Sequence, residues 1–142
     1  MQKNKNYDLK RFILAQERDY EVALAEIKNG RKRSHWMWYI FPQIKGLGRS
    51  STSEFYGIAN LDEATAYLSD SLLSDRLVEI SSALLGLETD NALEIFGNPD
   101  YLKLKSSMTL FSCVEQSNPL FLAVLEKYFK GKCERKLEFI LF

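Results

Sequence analysis

The chain predicts a single all-α domain of about seven or eight short helices. Three observations carry that expectation. Apolar residues recur at helical spacing along most of the chain, Asn, Asp, Gly and Pro punctuate the intervals, and no alternating strand of useful length is present. Size agrees, since 142 residues make one domain. With 46% apolar and 13% aromatic residues the chain can bury a sizeable core, which excludes a disordered protein.

The elements follow in order. Residues 1–7 read as a polar, frayed tail ahead of one domain over 8–142. Asp8 is a candidate N-cap for a first short helix carrying Leu9, Phe12, Ile13 and Gln16. A second helix is expected from about Asp19, where Tyr20, Ala23, Leu24 and Ile27 share one face, and Asn29-Gly30 should end it. Ser34 to Phe41 is apolar nearly all round and reads as a buried helical turn or a strand, limited by Pro42. Gly46, Gly48, Gly57 and the Ser/Thr cluster at 50–53 are loop chemistry, with one further turn over Ser53 to Ile58.

Later punctuation is clearer. Asn60 with Glu63 approximates a capping box and opens a helix to about Leu68. Leu73, Leu77, Ile80, Leu84 and Leu87 mark a longer helix over about 72–87. Asp90 to Phe96 is short and stopped by Gly97. Asn98-Pro99 and Asn118-Pro119 each place a cap residue before a proline suited to the first helical position. They start helices of about 99–115 and 119–130, the second stopped by Gly131. A last turn is expected over Glu134 to Ile140.

Composition excludes several functions. Nineteen basic and nineteen acidic residues argue against a protein that binds nucleic acid over its whole surface. No apolar run exceeds about six residues, the length of Trp36 to Phe41, far short of the roughly 20 residues of a membrane helix. The polar N-terminus shows no secretory signal, and two cysteines suit a reduced, cytoplasmic protein. One histidine and separated cysteines do not make a usual zinc cluster, so no metal or other cofactor is expected. Cys113, beside Phe111 and Val114, reads as a core thiol and Cys133 as an exposed, oxidisable one.

The neutral total conceals an asymmetry. No acidic residue lies between Glu26 and Glu54, where Lys28, Arg31, Lys32, Arg33, Lys45 and Arg49 fall. From Glu54 to Asp100 there are ten acidic residues and one basic residue, Arg76. The basic run is either a solvated face or an anion site. For the second reading, Arg31 and Arg33 flank the aromatic block, and Gly46-Leu47-Gly48-Arg49-Ser50 lets backbone N–H groups approach an anion beside an arginine fork. It is neither a dinucleotide fingerprint nor a Walker loop.

The block Ser34 to Phe41 holds both tryptophans and the lone histidine. Its plain reading is core packing. Its functional reading is a pocket in which His35 acts as acid or base, Trp38, Tyr39 and Tyr56 stack a planar ring, and Gln43 orients a polar group. Ser106, Ser107 and Thr109 sit in an otherwise apolar helix, where hydroxyls compete with the backbone. They read either as small-residue packing or, with Lys105, as part of that pocket.

These residues resemble domain-of-unknown-function family 1810, a bacterial family, from about Leu9 to Leu137. The resemblance rests on Gly30 through Gln43, above all Ser34-His35-Trp36-Met37-Trp38-Tyr39-Ile40-Phe41-Pro42, then Gly46 to Ser50, Phe55 to Ile58, Ile95-Phe96-Gly97, and Lys103 to Phe111. It implies a mostly helical single domain and carries no established activity. The calpain-inhibitor label borne by some relatives suits disordered chains, whereas this composition is globular.

Three functions are therefore weighed. The first is a pocket for a small anionic, nucleotide-derived molecule, lined by Arg31, Arg33, Trp38, Tyr39, Gln43, Arg49, Ser50, Tyr56, Lys105 and Ser106, with His35 as its catalytic group. The second is a basic surface that binds nucleic acid or an acidic protein without chemistry, nucleic acid being disfavoured by the modest charge. The third is an assembly role for the apolar end, Phe139 to Phe142.

Overall fold

The computed structural model describes residues 7–132. Helix α1 (Lys10–Lys28) runs unbroken where two helices divided near Asp19 were expected. Phe12, Ala15, Gln16, Tyr20, Ala23, Leu24 and Ile27 form a single buried stripe, and nothing from Glu17 to Asp19 interrupts it. Asp8 does not cap this helix; Leu9 holds the N-cap position without a side-chain bond. Gly30 ends it as expected, with φ of +80°. Arg31 N donates to Glu26 O at 3.0 Å and Gly30 N to Ile27 O at 2.8 Å, the paired bonds of a Schellman turn.

The aromatic run resolves as one short helical turn, α2 (Met37–Ile40). Then come α3 (Ser51–Phe55), α4 (Leu61–Ser69), α5 (Ser71–Leu85), α6 (Ala92–Phe96), α7 (Asp100–Ser112) and α8 (Leu120–Phe129). Ser50, Asn60, Asp70 and Asn91 cap α3 to α6, each side chain accepting from the backbone N–H three residues on. The capping box at Asn60 is altered, because Glu63 Oε1 reaches back to Ala59 N at 2.7 Å instead. Helix α7 starts one residue after Pro99, which follows a cis peptide bond, and it stops at Ser112, short of the expected 115. Among the described residues there is no strand, only one isolated parallel bridge between Ile44 and Ile58.

The helices pack around α7, which touches α4, α6 and α8, while α5 bridges α1, α4 and α8. Rings of four helices form a continuous file. Phe12 meets Tyr67 edge-on at 5.2 Å, Tyr67 meets Phe111 at 5.2 Å, and Phe111 meets Phe121 at 6.0 Å. Trp36, Phe41 and Phe96 make a second cluster at 5.8–6.5 Å. The buried hydroxyls of α7 are largely settled within the helix. Ser106 Oγ donates to Leu102 O at 3.2 Å and Thr109 Oγ1 to Lys105 O at 2.7 Å. Ser107 Oγ alone among the described buried side-chain atoms has no partner. No described helix is long and apolar enough to cross a membrane. Cys133, the turn expected over 134–140 and the apolar end lie outside the described residues.

Candidate functional site

The basic loop after α1 is held by a carboxylate. Glu26 Oε1 accepts from Arg33 N at 2.8 Å, Ser34 N at 3.0 Å and Trp36 Nε1 at 2.9 Å, and its Oε2 accepts from Ser34 Oγ at 2.6 Å. Burial alone would raise its pKa, yet these hydrogen bonds outweigh it and hold the carboxyl below the usual range. The loop therefore alternates. Lys32, Ser34 and Trp36 turn inward, while Arg31, Arg33 and His35 are exposed.

Lys32 carries the loop to α7. Its backbone N–H donates to Ile95 O at 2.8 Å, and its ammonium meets Asp100 Oδ2 at 2.8 Å with a side chain only 8% exposed. Asp100 Oδ1 takes a second lysine, Lys103, at 3.1 Å. Burial would raise the Asp100 pKa, but the two lysine hydrogen bonds prevail and lower it. Lys103 also stands over the Trp38 ring, 5.3 Å from its centroid, a cation–π distance. Two lysines thus share one carboxylate beneath the aromatic block.

A groove of about 320 Å³ opens beside Lys103. One wall is Gln43, Leu47 and Gly48; the other is Pro99, Leu102, Lys103 and Ser106. Pro99, at the N-cap of α7, and positions 102, 103 and 106 within it fall at i, i+3, i+4 and i+7, one face of a helix. The facing wall is fixed by the bridge, in which Ile58 N donates to Gln43 O at 2.9 Å and Lys45 N to Ile58 O at 2.7 Å. Gly48 is needed for close approach, since a Cβ there would lie 2.6 Å from Ser53 Oγ and 3.8 Å from Gln43 Nε2. Gln43 is only 9% exposed, and its side-chain amide makes no hydrogen bond among the described residues. Since Ser107 Oγ is the one sealed polar atom without a partner among the described residues, the Gln43 amide is open to solvent.

The groove gathers Gln43 and Ser106 and sets Trp38 behind Lys103. Other expected site residues lie elsewhere. Tyr39 is buried, its one hydroxyl proton shared between Asp19, the nearer acceptor, and His35 O at 3.2 Å. Burial, aided by Asp19, pushes its pKa up to about 12, so it stays a protonated donor. Its ring pairs with Tyr56 at 5.0 Å, and Tyr56 packs on Phe12 and Phe55. Ser50 caps α3, accepting from Ser53 N at 3.1 Å. Arg49 is exposed, one residue past Gly48. Lys105 points to Phe129, 6.0 Å from that ring. The His35 imidazole is not among the groove's lining groups. Lys103 and Leu102 were missed as site residues, although the period of α7 separates Lys103 from Lys105 by about two residues' rotation and pairs it with Ser106.

The sequence pattern of the proteins of unknown function, family 1810, matches residues 6–141. The chain belongs to family 1810. A solved structure, that of the conserved hypothetical protein Rv1873 from Mycobacterium tuberculosis, is similar at 46% identity with a TM-score of 0.93, over 95% of this chain and 96% of that one. No curated protein matches. Membership of family 1810 thus agrees with the helical single domain and assigns no chemistry to the groove.

Proposed function

We propose that this protein binds a small anionic molecule in the groove between the 43–48 loop and α7. One observation carries the reading: Gln43, a largely buried residue whose amide makes no hydrogen bond within the described residues, lines the same groove as Lys103 and Ser106. A cation supplies attraction, and an amide supplies a donor and an acceptor that orient the ligand. Arg49 flanks the entrance along the chain and adds attraction at longer range. His35 has no part in holding the ligand, and no reaction is assigned to it. Two cysteines well separated in sequence support a cytoplasmic setting.

The test is titration of the ¹⁵N-labelled chain with aryl carboxylates and nucleoside monophosphates. Shifts should concentrate at Leu47, Gly48 and 102–106 and vanish in Lys103→Met. Shifts that survive this substitution, or that spread without a centre, overturn the reading.

A second reading has its own observation. Arg31 and Arg33 stand outward on a loop whose alternate residues are pinned, so two cations are presented from an already ordered backbone. That surface suits an acidic protein. Binding that falls steeply with added salt and disappears in Arg31→Ala/Arg33→Ala supports it; salt-insensitive binding rejects it.

A further inference from the structure

Resting on the groove reading above, we propose that its ligand is a singly charged carboxylate carrying an amide and an apolar side chain, the chemistry of an N-acylated amino acid.

Charge sets the first part. Lys103 is the only charged residue lining the groove among the described residues. Asp100 is already shared between Lys103 and Lys32, so two positive charges against one negative leave a single unit to offer. Lys32 is 8% exposed and does not line the groove, whereas Lys103 is 20% exposed and does. A carboxylate carries one charge. A phosphate monoester carries about −1.5 to −2 near neutral pH and would leave charge unpaired in a half-buried site.

Hydrogen bonding sets the second part. The Gln43 amide presents a carbonyl acceptor beside an NH₂ donor and makes no bond within the described residues. Another amide is its natural complement, N–H to C=O in both directions. Ser106 Oγ, having donated to Leu102 O, keeps its lone pairs for a donor.

Apolar surface sets the third. Leu47, Pro99 and Leu102 make up the rest of the lining, and Leu102 is 42% exposed. A hydrocarbon or aryl side chain would cover them. Sugar hydroxyls laid against these three side chains would lose water without gaining a partner. The volume, about 320 Å³, is at the low end of ligand sites and suits a single residue-sized molecule.

The experiment compares four probes on the full chain by ¹⁵N chemical-shift titration: N-acetylphenylalanine, its neutral carboxamide, 3-phenylpropionate and phenyl phosphate. N-acetylphenylalanine should bind about tenfold tighter than each of the other three, with shifts centred on Gly48 and 102–106. Gln43→Leu should erase its advantage over 3-phenylpropionate, and Lys103→Met its advantage over the carboxamide. Phenyl phosphate binding as well or better through Lys103 overturns this inference and leaves the groove reading standing. Equal binding of 3-phenylpropionate overturns the role of the amide. Shifts centred elsewhere, or none, overturn both. If a variant fails to fold, the ranking of the four probes on the unaltered chain decides.

Discussion

The indole Nε1 of Trp36 donates to Glu26 Oε1 across 2.9 Å, tying the aromatic block to the last turns of α1. The same oxygen takes the backbone of Arg33 and Ser34, so one carboxylate shapes the whole basic loop. Glu26→Gln replaces an acceptor-only group facing four donors with one that is half donor. It should cost about 2–3 kcal/mol, read as a lower midpoint in urea unfolding.

That carboxyl and Asp100 are both held below their ordinary pKa. A depressed folded pKa means that the folded state holds its charge more tightly than the unfolded chain. The stability is present above the unfolded values, about 4, and is lost as pH falls through the lower folded values. Unfolding free energy should therefore drop in acid below about pH 4. Glu26→Gln and Asp100→Asn should each flatten that drop, measured by urea titration at a series of pH values.

Neighbouring cations in the basic run should behave differently. Lys32 is enclosed and paired with Asp100, so Lys32→Met should destabilise by about 1–3 kcal/mol. Arg31→Ala and Arg33→Ala remove exposed side chains and should stay within about 0.5 kcal/mol. Thermal unfolding of the three variants separates the cases. Equal effects would remove the inward–outward distinction.

Arg11 and Glu63 form the most enclosed ion pair among the described residues, 3.0 Å apart with side chains 9% and 4% exposed. Arg11 also donates to Phe55 O at 2.8 Å and Gly57 O at 2.9 Å, fixing the segment that follows α3. Removing one partner strands a buried charge. Glu63→Gln should cost about 3–5 kcal/mol, and Arg11→Met/Glu63→Leu together less than the two single changes summed. A double-mutant cycle in urea gives that coupling directly.

Gly48→Ala should be costly despite adding one carbon. Its Cβ would meet Ser53 Oγ at 2.6 Å and Ser53 Cβ at 2.7 Å, contacts that force the 46–50 loop to shift. A loss of about 1–3 kcal/mol is expected, partly restored by Ser53→Gly. Stability curves of the single and double variants check it. Failure of the second change to help would place the strain elsewhere.

Much of the helical plan was legible because its signals are local. Asn60 and Gly30 act within a few residues of themselves, and both end or begin helices where expected. Where the division at Asp19 fails, the reason is equally local: the stripe continues through Gln16 and Tyr20 on one face. In the basic run, type and position were legible but direction was not. Lys32 turns inward because Asp100 lies 68 positions on, and among the described residues Arg31 and Arg33 form no such ion pair. The groove depends on distance in the same way. Gln43 and Ser106 were visible as candidates, while Lys103 gained its place from a shared helix face opposite a loop pinned by Ile58. Sequence alone therefore determined an all-α domain of family 1810 and the segments that carry its polar groups, since caps, turns and periodicity act over a few residues. Only tertiary structure decided which of those groups meet, because a contact between remote segments depends on how whole helices pack.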